Sequence, residues 1–212
     1  HRNGAPVYSE WFNSALTDAS GRVSSMMSLV QDVTTRTIAE LQLRKFATHD
    51  PLTGLYNRRA LTDRLEQAVA RRKRKGTLIA LLFLDLDEFK RVNDQYGHGA
   101  GDEVLCEVAR RLLAITREAD VVSRFGGDEF VVLTETDVSL QSMNALAQRI
   151  LRALEHPCNF GGGHAKVGAS IGVALCPDSI GHARELIQWA DAAMYEAKRS
   201  GKGRVCQART VT

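Results

Sequence analysis

Three acids in this sequence have the type and spacing for metal-assisted phosphate chemistry. Asp85 ends the apolar run Leu78-Ile79-Ala80-Leu81-Leu82-Phe83-Leu84, and Asp128 and Glu129 follow two glycines in Arg124-Phe125-Gly126-Gly127-Asp128-Glu129-Phe130. The first run reads as a strand buried on both faces, with its carboxylate emerging at the sheet edge. The second stretch lies between Val121-Val122 and Phe130-Val131-Val132-Leu133, so the glycine pair reads as a tight hairpin turn. Glycine tolerates positive φ and, lacking a Cβ, lets a bulky ligand approach the main chain. An acid just past such a turn projects where a metal ion or phosphate can sit. Taken alone, Asp85 is a helix cap and the glycines an ordinary hairpin with solvated acids. Taken together on neighbouring strands, Asp85 and Asp128 are the paired carboxylates of a two-metal site, as used in phosphoryl and nucleotidyl transfer.

The elements that must position these acids follow from periodicity. Pro51 and Gly54 stop whatever precedes them, and Asn57 caps a helix with Leu61, Leu65, Ala68 and Val69 on one face. After Asp85, the segment Leu86-Asp87-Glu88-Phe89-Lys90 turns into a short helix whose free N–H groups offer a phosphate cradle. Asn93 falls at the end of that helix, and Asp102 reads as the N-cap of an amphipathic helix carrying Val104, Leu105, Val108, Leu112 and Ile115. Leu140, Met143, Leu146, Ile150 and Leu154 mark another helix, and Gly161-Gly162-Gly163 a loop. A strand spans Val167 to Ala174 and stops at Pro177. A last helix carries Leu186, Ile187, Ala190, Ala193, Met194 and Ala197. This succession predicts an α/β (α+β) fold, a mixed sheet with helices packed against it.

Residues 1–33 read instead as two strands around the polar turn Thr17–Arg22, the first over Val7–Phe12 and the second over Val23–Val33. Residues 34–49 read as a helical connector. Ile38, Leu41 and Phe46 are too few apolar positions to establish a coiled coil, so its pairing stays open.

Composition narrows the partners. The 212 residues, 44% hydrophobic and 25% charged, suffice for the core of one domain with an appendage. A net charge of +3 does not imply nucleic acid, and the run Arg71-Arg72-Lys73-Arg74-Lys75 reads as a helix end facing water. Cys106, Cys158, Cys176 and Cys206 show no zinc spacing and read as thiols in a reducing compartment, and the six histidines form no ligand cluster. No apolar run approaches the length of a membrane span. Beginning at His1 rather than Met, the chain reads as a fragment whose only route to a membrane is an anchor further upstream.

The pentamer Gly126-Gly127-Asp128-Glu129-Phe130 and the segment His49-Asp50-Pro51-Leu52-Thr53-Gly54-Leu55-Tyr56-Asn57-Arg58-Arg59 resemble the signatures of the GGDEF family, the diguanylate cyclases. The resemblance covers about 160 residues from Asp50 onward. It implies a palm-like, mainly antiparallel sheet and a cytoplasmic domain over residues 50–212 that condenses two GTP into cyclic di-GMP and two pyrophosphates. One GTP would be held per chain, with two chains facing each other as a homodimer. The implied metal ligands are Asp85, Asp128 and the main-chain carbonyl of Leu86, holding two Mg²⁺ per site, or Mn²⁺ in its place. Asp128 or Glu129 would accept the proton, and spacing does not choose between them.

The resemblance further assigns guanine recognition to Asn93 and Asp102, with His98 close to the substrate, and places Phe89, Lys90, Gly126 and Gly127 along the bound nucleotide. Lys198 and the position four residues later would hold the triphosphate; the family carries arginine there and this chain carries Lys202, which keeps the charge but loses the planar fork. Arg117 and Asp120, with five residues between Asp120 and Gly126, match the family's product-inhibition site for cyclic di-GMP. Residues 1–33 are similar to the last strands of a PAS sensor domain, which makes 34–49 a signalling linker. The alternatives are a non-catalytic module that binds GTP or cyclic di-GMP, a cyclase with another dinucleotide product, and the regulatory part of a protein with a phosphodiesterase domain after Thr212.

Overall fold

The structure is a computed structural model that describes residues 6–176 and 182–208. It divides into two units, His1–Ala47 and Thr48–Thr212. In the first, β1 (Ser9–Thr17) and β2 (Val23–Asp32) pair antiparallel. Asp18 turns the chain by accepting the N–H groups of Ser20 and Arg22 at 2.8 and 3.0 Å. Both faces of the ribbon are apolar and exposed, Trp11, Met26 and Val30 on one and Phe12, Met27 and Leu29 on the other. The first strand runs on past Phe12 to Thr17 because β2 pairs with it along that length, with a register shift between Leu16 and Thr17. The helix α1 (Thr34–Thr48) follows, with no buried residue.

The second unit contains β3 (Tyr56–Asn57), α2 (Arg58–Lys75), β4 (Ala80–Asp87), α3 (Phe89–Tyr96), α4 (His98–Ile115), β5 (Val121–Gly126) and β6 (Glu129–Thr134). It continues through α5 (Leu140–Leu154), β7 (Cys158–Phe160), β8 (Gly163–Ala165), β9 (Gly168–Leu175), α6 (Ala183–Arg199) and β10 (Val205–Gln207). Six strands form one sheet in the order β10-β9-β4-β6-β5-β3. The β4–β6, β4–β9 and β5–β6 pairs are antiparallel, whereas β3–β5 and β10–β9 are parallel. The expected mixed, mainly antiparallel sheet flanked by helices is therefore present. Among the described residues no helix is long and apolar enough to cross a membrane.

The central strand β4 explains the layering. Every residue in it is buried, and successive side chains point to opposite faces. Leu82, Leu84 and Leu86 join the core built with α4 and α5, while Leu81 and Phe83 join the core built with α2 and α6. By the same alternation Asp85 and Asp87 lie on the α6 face. In β6, Val131 and Leu133 belong to that face, which puts Glu129 there too, directly across from Asp85 in the β4–β6 register. Gly172 of β9 lets α6 lie close: a Cβ at this position would run into the main chain at Ala190 and Met194.

Several sequence expectations are corrected. The two-residue loop of the β5–β6 hairpin is Gly127-Asp128, because Gly126 pairs with Glu129, so Asp128 sits in the turn and not on the strand after it. The helix α4 starts at His98, which makes Asp102 a helical residue and leaves Gly97, at φ +83°, as the N-cap. Its glycine-rich first turn is carried by packing on α3, which overrides weak propensity. The basic run does not all face water: Arg71 pairs with Glu135 at 2.6 Å and Arg72 is buried. Gly163 begins β8 and is not part of a loop. The stop assigned to Pro177 lies outside the described residues.

Candidate active site

Asp85 is 6% exposed at the end of β4. Burial raises its pKa above the usual carboxylate value; a hydrogen bond from Lys198 opposes the shift, and the neighbouring charges of Asp128 and Asp87 add to it. Glu129 is raised for the same leading reason, burial, reinforced by Asp85, Asp191 and Asp128. Raised first by burial and then by one another's charge, these acids would be eased by a nearby positive charge. Lys198 partly supplies it, its Nζ standing 2.7 Å from Asp85 Oδ1. Residue 198 lies in the last turn of α6, so the close approach allowed by Gly172 is what brings the ammonium to the acid.

The turn is fixed from two sides. The Leu86 N–H donates to the Asp128 carbonyl at 3.2 Å. In an extended strand the N–H and C=O of one residue share a direction, so the Leu86 carbonyl also faces the turn. Arg124 Nε donates to the Gly127 carbonyl at 2.9 Å, and Arg124 Nη1 meets Asp50 Oδ1 at 3.2 Å. Burial alone would raise the Asp50 pKa, but hydrogen bonds from Thr53 and the Arg124 charge hold it below the usual value. Asp50, which reads in the sequence as part of a boundary device, thereby braces the turn through Arg124.

This donor set fits a divalent cation held by oxygen: two carboxylates, a main-chain carbonyl, and a lysine already standing in as the cation. Among the described residues no group of three or more His, Cys, Asp or Glu side chains is arranged to hold a metal, so any such ion would depend on that carbonyl and on its own substrate or water.

The other expected residues fall around this centre. Phe89 is buried and Lys90 exposed in the first turn of α3, which no side chain caps. Gly126 and Gly127 are exposed, Gly127 at φ +49°. Asn93 packs against α4, where a Cβ on Gly101 would strike its Oδ1, so the helix passes the amide only because residue 101 is glycine. His98 and Asp102 are exposed on the first turns of α4. Lys202 takes φ +61° and its Nζ meets Glu88 Oε1 at 3.3 Å, beside the start of α3.

Arg117 and Asp120 lie apart from the acids. Asp120 precedes β5 and Gly126 ends it, so about 20 Å of strand separates them. The two side chains do not pair with each other. Asp120 Oδ2 accepts the Arg117 main-chain N–H at 2.8 Å, while the Arg117 guanidinium meets Asp137 Oδ2 at 3.2 Å. Asp120 Oδ1 is buried and has no hydrogen-bond partner. Both residues line a cavity of about 210 Å³ with Asp137, Ser142 and Arg149.

Sequence reasoning missed Asp50, Arg124, Asp87 and Glu88 as parts of the site. The available signal was alternation: Asp87 sits two positions past Asp85 and must share its face.

The family described as Diguanylate cyclase, GGDEF domain matches residues 47–204. The chain belongs to this family. Among its relatives, diguanylate cyclase DgcP of Pseudomonas aeruginosa is 42% identical over 194 residues, 89% of this chain and 28% of that protein. Cyclic di-GMP phosphodiesterase PdeR of Escherichia coli is 38% identical over 175 residues, 82% of this chain and 26% of that protein. The chain spans about a quarter of the length of the curated relatives it matches. Of solved structures, the GGDEF domain of TpbB (YfiN) from Pseudomonas aeruginosa superposes with a TM-score of 0.73 at 38% identity, covering 76% of this chain and 94% of that one. The coiled coil and GGDEF domain of DgcB from Caulobacter crescentus, in complex with c-di-GMP, gives 0.76 at 30% identity, covering 82% and 93%.

Proposed function

We propose that the GGDEF unit is a diguanylate cyclase that joins two GTP molecules into cyclic di-GMP with release of two pyrophosphates. The observation that carries this reading is that Asp85 and Glu129 share one face, with Asp128 in the glycine turn close enough for its charge to act on both and Lys198 2.7 Å from Asp85. Mg²⁺, or Mn²⁺, held by Asp85, Asp128 and the Leu86 carbonyl would polarise the α-phosphate and acidify the attacking 3′-hydroxyl. The protein's own groups do the rest. Lys198 and Lys202 bind the phosphates, together with the uncapped N–H groups of α3. Asn93 and Asp102 bind guanine by an amide and a carboxylate, with His98 beside them. Glu129, whose pKa burial raises above its ordinary value, is assigned as the proton acceptor.

One chain holds one GTP in this scheme, so two chains must face each other as a homodimer, and the first unit acts by setting how they meet. Its ribbon, apolar on both faces, suits the closing strands of a PAS-like sensor domain in a longer protein. Arg117 and Asp120 form the inhibitory site, and the unpartnered Asp120 Oδ1 supports a hydrogen-bonding ligand there. A second reading, a GTP-binding module that regulates an attached phosphodiesterase, is favoured by the similarity to PdeR.

Incubation of the chain with GTP and Mg²⁺, followed by chromatography and mass measurement, separates the two. Cyclic di-GMP that disappears with Asp128→Ala supports the cyclase; nucleotide binding without turnover supports the second reading.

A further inference from the structure

Asp87 is a third carboxylate on the acidic face, 8% exposed, and the proposed chemistry gives it no task. Both of its oxygens are engaged: Oδ1 accepts the Ser170 hydroxyl at 2.8 Å, and Oδ2 accepts the Gly203 N–H at 2.9 Å. Residue 168 is glycine, and a Cβ there would press on Oδ2 at 3.2 Å, so β9 leaves room for this carboxylate.

The Gly203 N–H belongs to the loop that closes α6. That loop is tightly wound: the Gly201 N–H donates to the Lys198 carbonyl at 3.3 Å and the Lys202 N–H to the Ala197 carbonyl at 3.1 Å. Lys202 at φ +61° and Gly203 at φ +56° are consecutive left-handed residues. A lysine holds that conformation only where its surroundings impose it. The side chain then turns back toward α3, where Nζ meets Glu88. The geometry points to Asp87 as a positioning residue that anchors the loop through Gly203 and so sets where the Lys202 ammonium meets a bound triphosphate. The inference rests on the reading of Lys202 as a triphosphate contact.

The test compares ligands that differ only in phosphate number. Binding of GTP and of GMP, with KM and kcat for GTP, is measured for the wild-type chain and for Asp87→Ala, Asp87→Asn and Ser170→Ala. Loss of the anchor should weaken GTP about tenfold in Asp87→Ala and leave GMP within about twofold, with the change mainly in KM. Asp87→Asn keeps an acceptor for Gly203 and should recover most of the affinity. Ser170→Ala, a mild change to a buried hydroxyl, should show the same selective loss at about threefold, and it carries the test if Asp87→Ala does not fold. Equal loss of GTP and GMP, or loss of neither, overturns the inference while leaving the site reading standing. A wild-type chain that binds GTP no better than GMP overturns the site reading and the inference with it.

Discussion

Gly172→Ala tests whether the sheet–helix contact controls the site. The added methyl would meet the Ala190 carbonyl oxygen, the Met194 nitrogen and the Ala193 carbonyl carbon, all main-chain atoms of α6, so no rotamer change relieves it. To restore ordinary carbon contacts of about 3.5–4.0 Å, the helix must move out by about 1 Å or more. Overpacking of this kind costs about 1–3 kcal/mol, which for a unit of this size lowers Tm by about 3–10 °C. Lys198 rides on α6, so its 2.7 Å contact with Asp85 opens by a similar amount, and a 1 Å misplacement is worth about 100-fold in rate. Thermal melting monitored by fluorescence, followed by timed formation of cyclic di-GMP, reads both effects. Gly99→Ala is the control, since a Cβ there meets nothing within 4 Å and the residue is helical; its Tm should hold or rise. A Gly172→Ala chain that melts within about 1 °C of wild type would refute the argument from close approach.

Three further outcomes are expected. Glu129→Gln should raise the Tm of the metal-free chain at neutral pH. The folded-state pKa of Glu129 lies above 4.5 through burial and like charge, so its ionisation is costless below the unfolded pKa and destabilises as pH rises through the folded one. A Tm that falls at pH 7 but not at pH 4 contradicts that sign. Lys202→Arg should lower KM for GTP several-fold by restoring a planar fork, and an unchanged KM removes the argument for a weakened grip. Glu107 is held at about 2 chiefly by hydrogen bonding to Arg110, with Arg111 assisting against burial. The shift from 4.5 corresponds to about 3 kcal/mol, discounted to about 1–2 kcal/mol because Arg110 is largely exposed. Stability should therefore be full above pH 4.5 and fall toward pH 2, and Glu107→Gln should flatten that limb of an acid-denaturation curve.

What the sequence determined by itself is whatever follows from local pattern. The apolar run into Asp85 fixed a strand buried on both faces, the two glycines before Asp128 fixed a hairpin, and Asn57 marked a helix start that its side chain does cap, accepting the Ala60 N–H at 3.0 Å. Alternation alone did not say which turn acid faces Asp85: the sequence pairs it with Asp128, and only the β4–β6 register sets Glu129 directly across from it. Local pattern failed at the start of α4. Gly99 and Gly101 have poor helix propensity, yet the chain is helical from His98, because α4 packs on α3 and only a glycine at 101 lets it pass Asn93. A two-residue strand such as β3 has no period to detect, and it exists only because β5 lies beside it. The braces of the site were decided by tertiary structure alone: Asp50 to Arg124, Lys198 to Asp85, and Asp87 to Gly203. Each joins groups dozens of residues apart whose attraction gains strength once burial removes the water that would otherwise screen it.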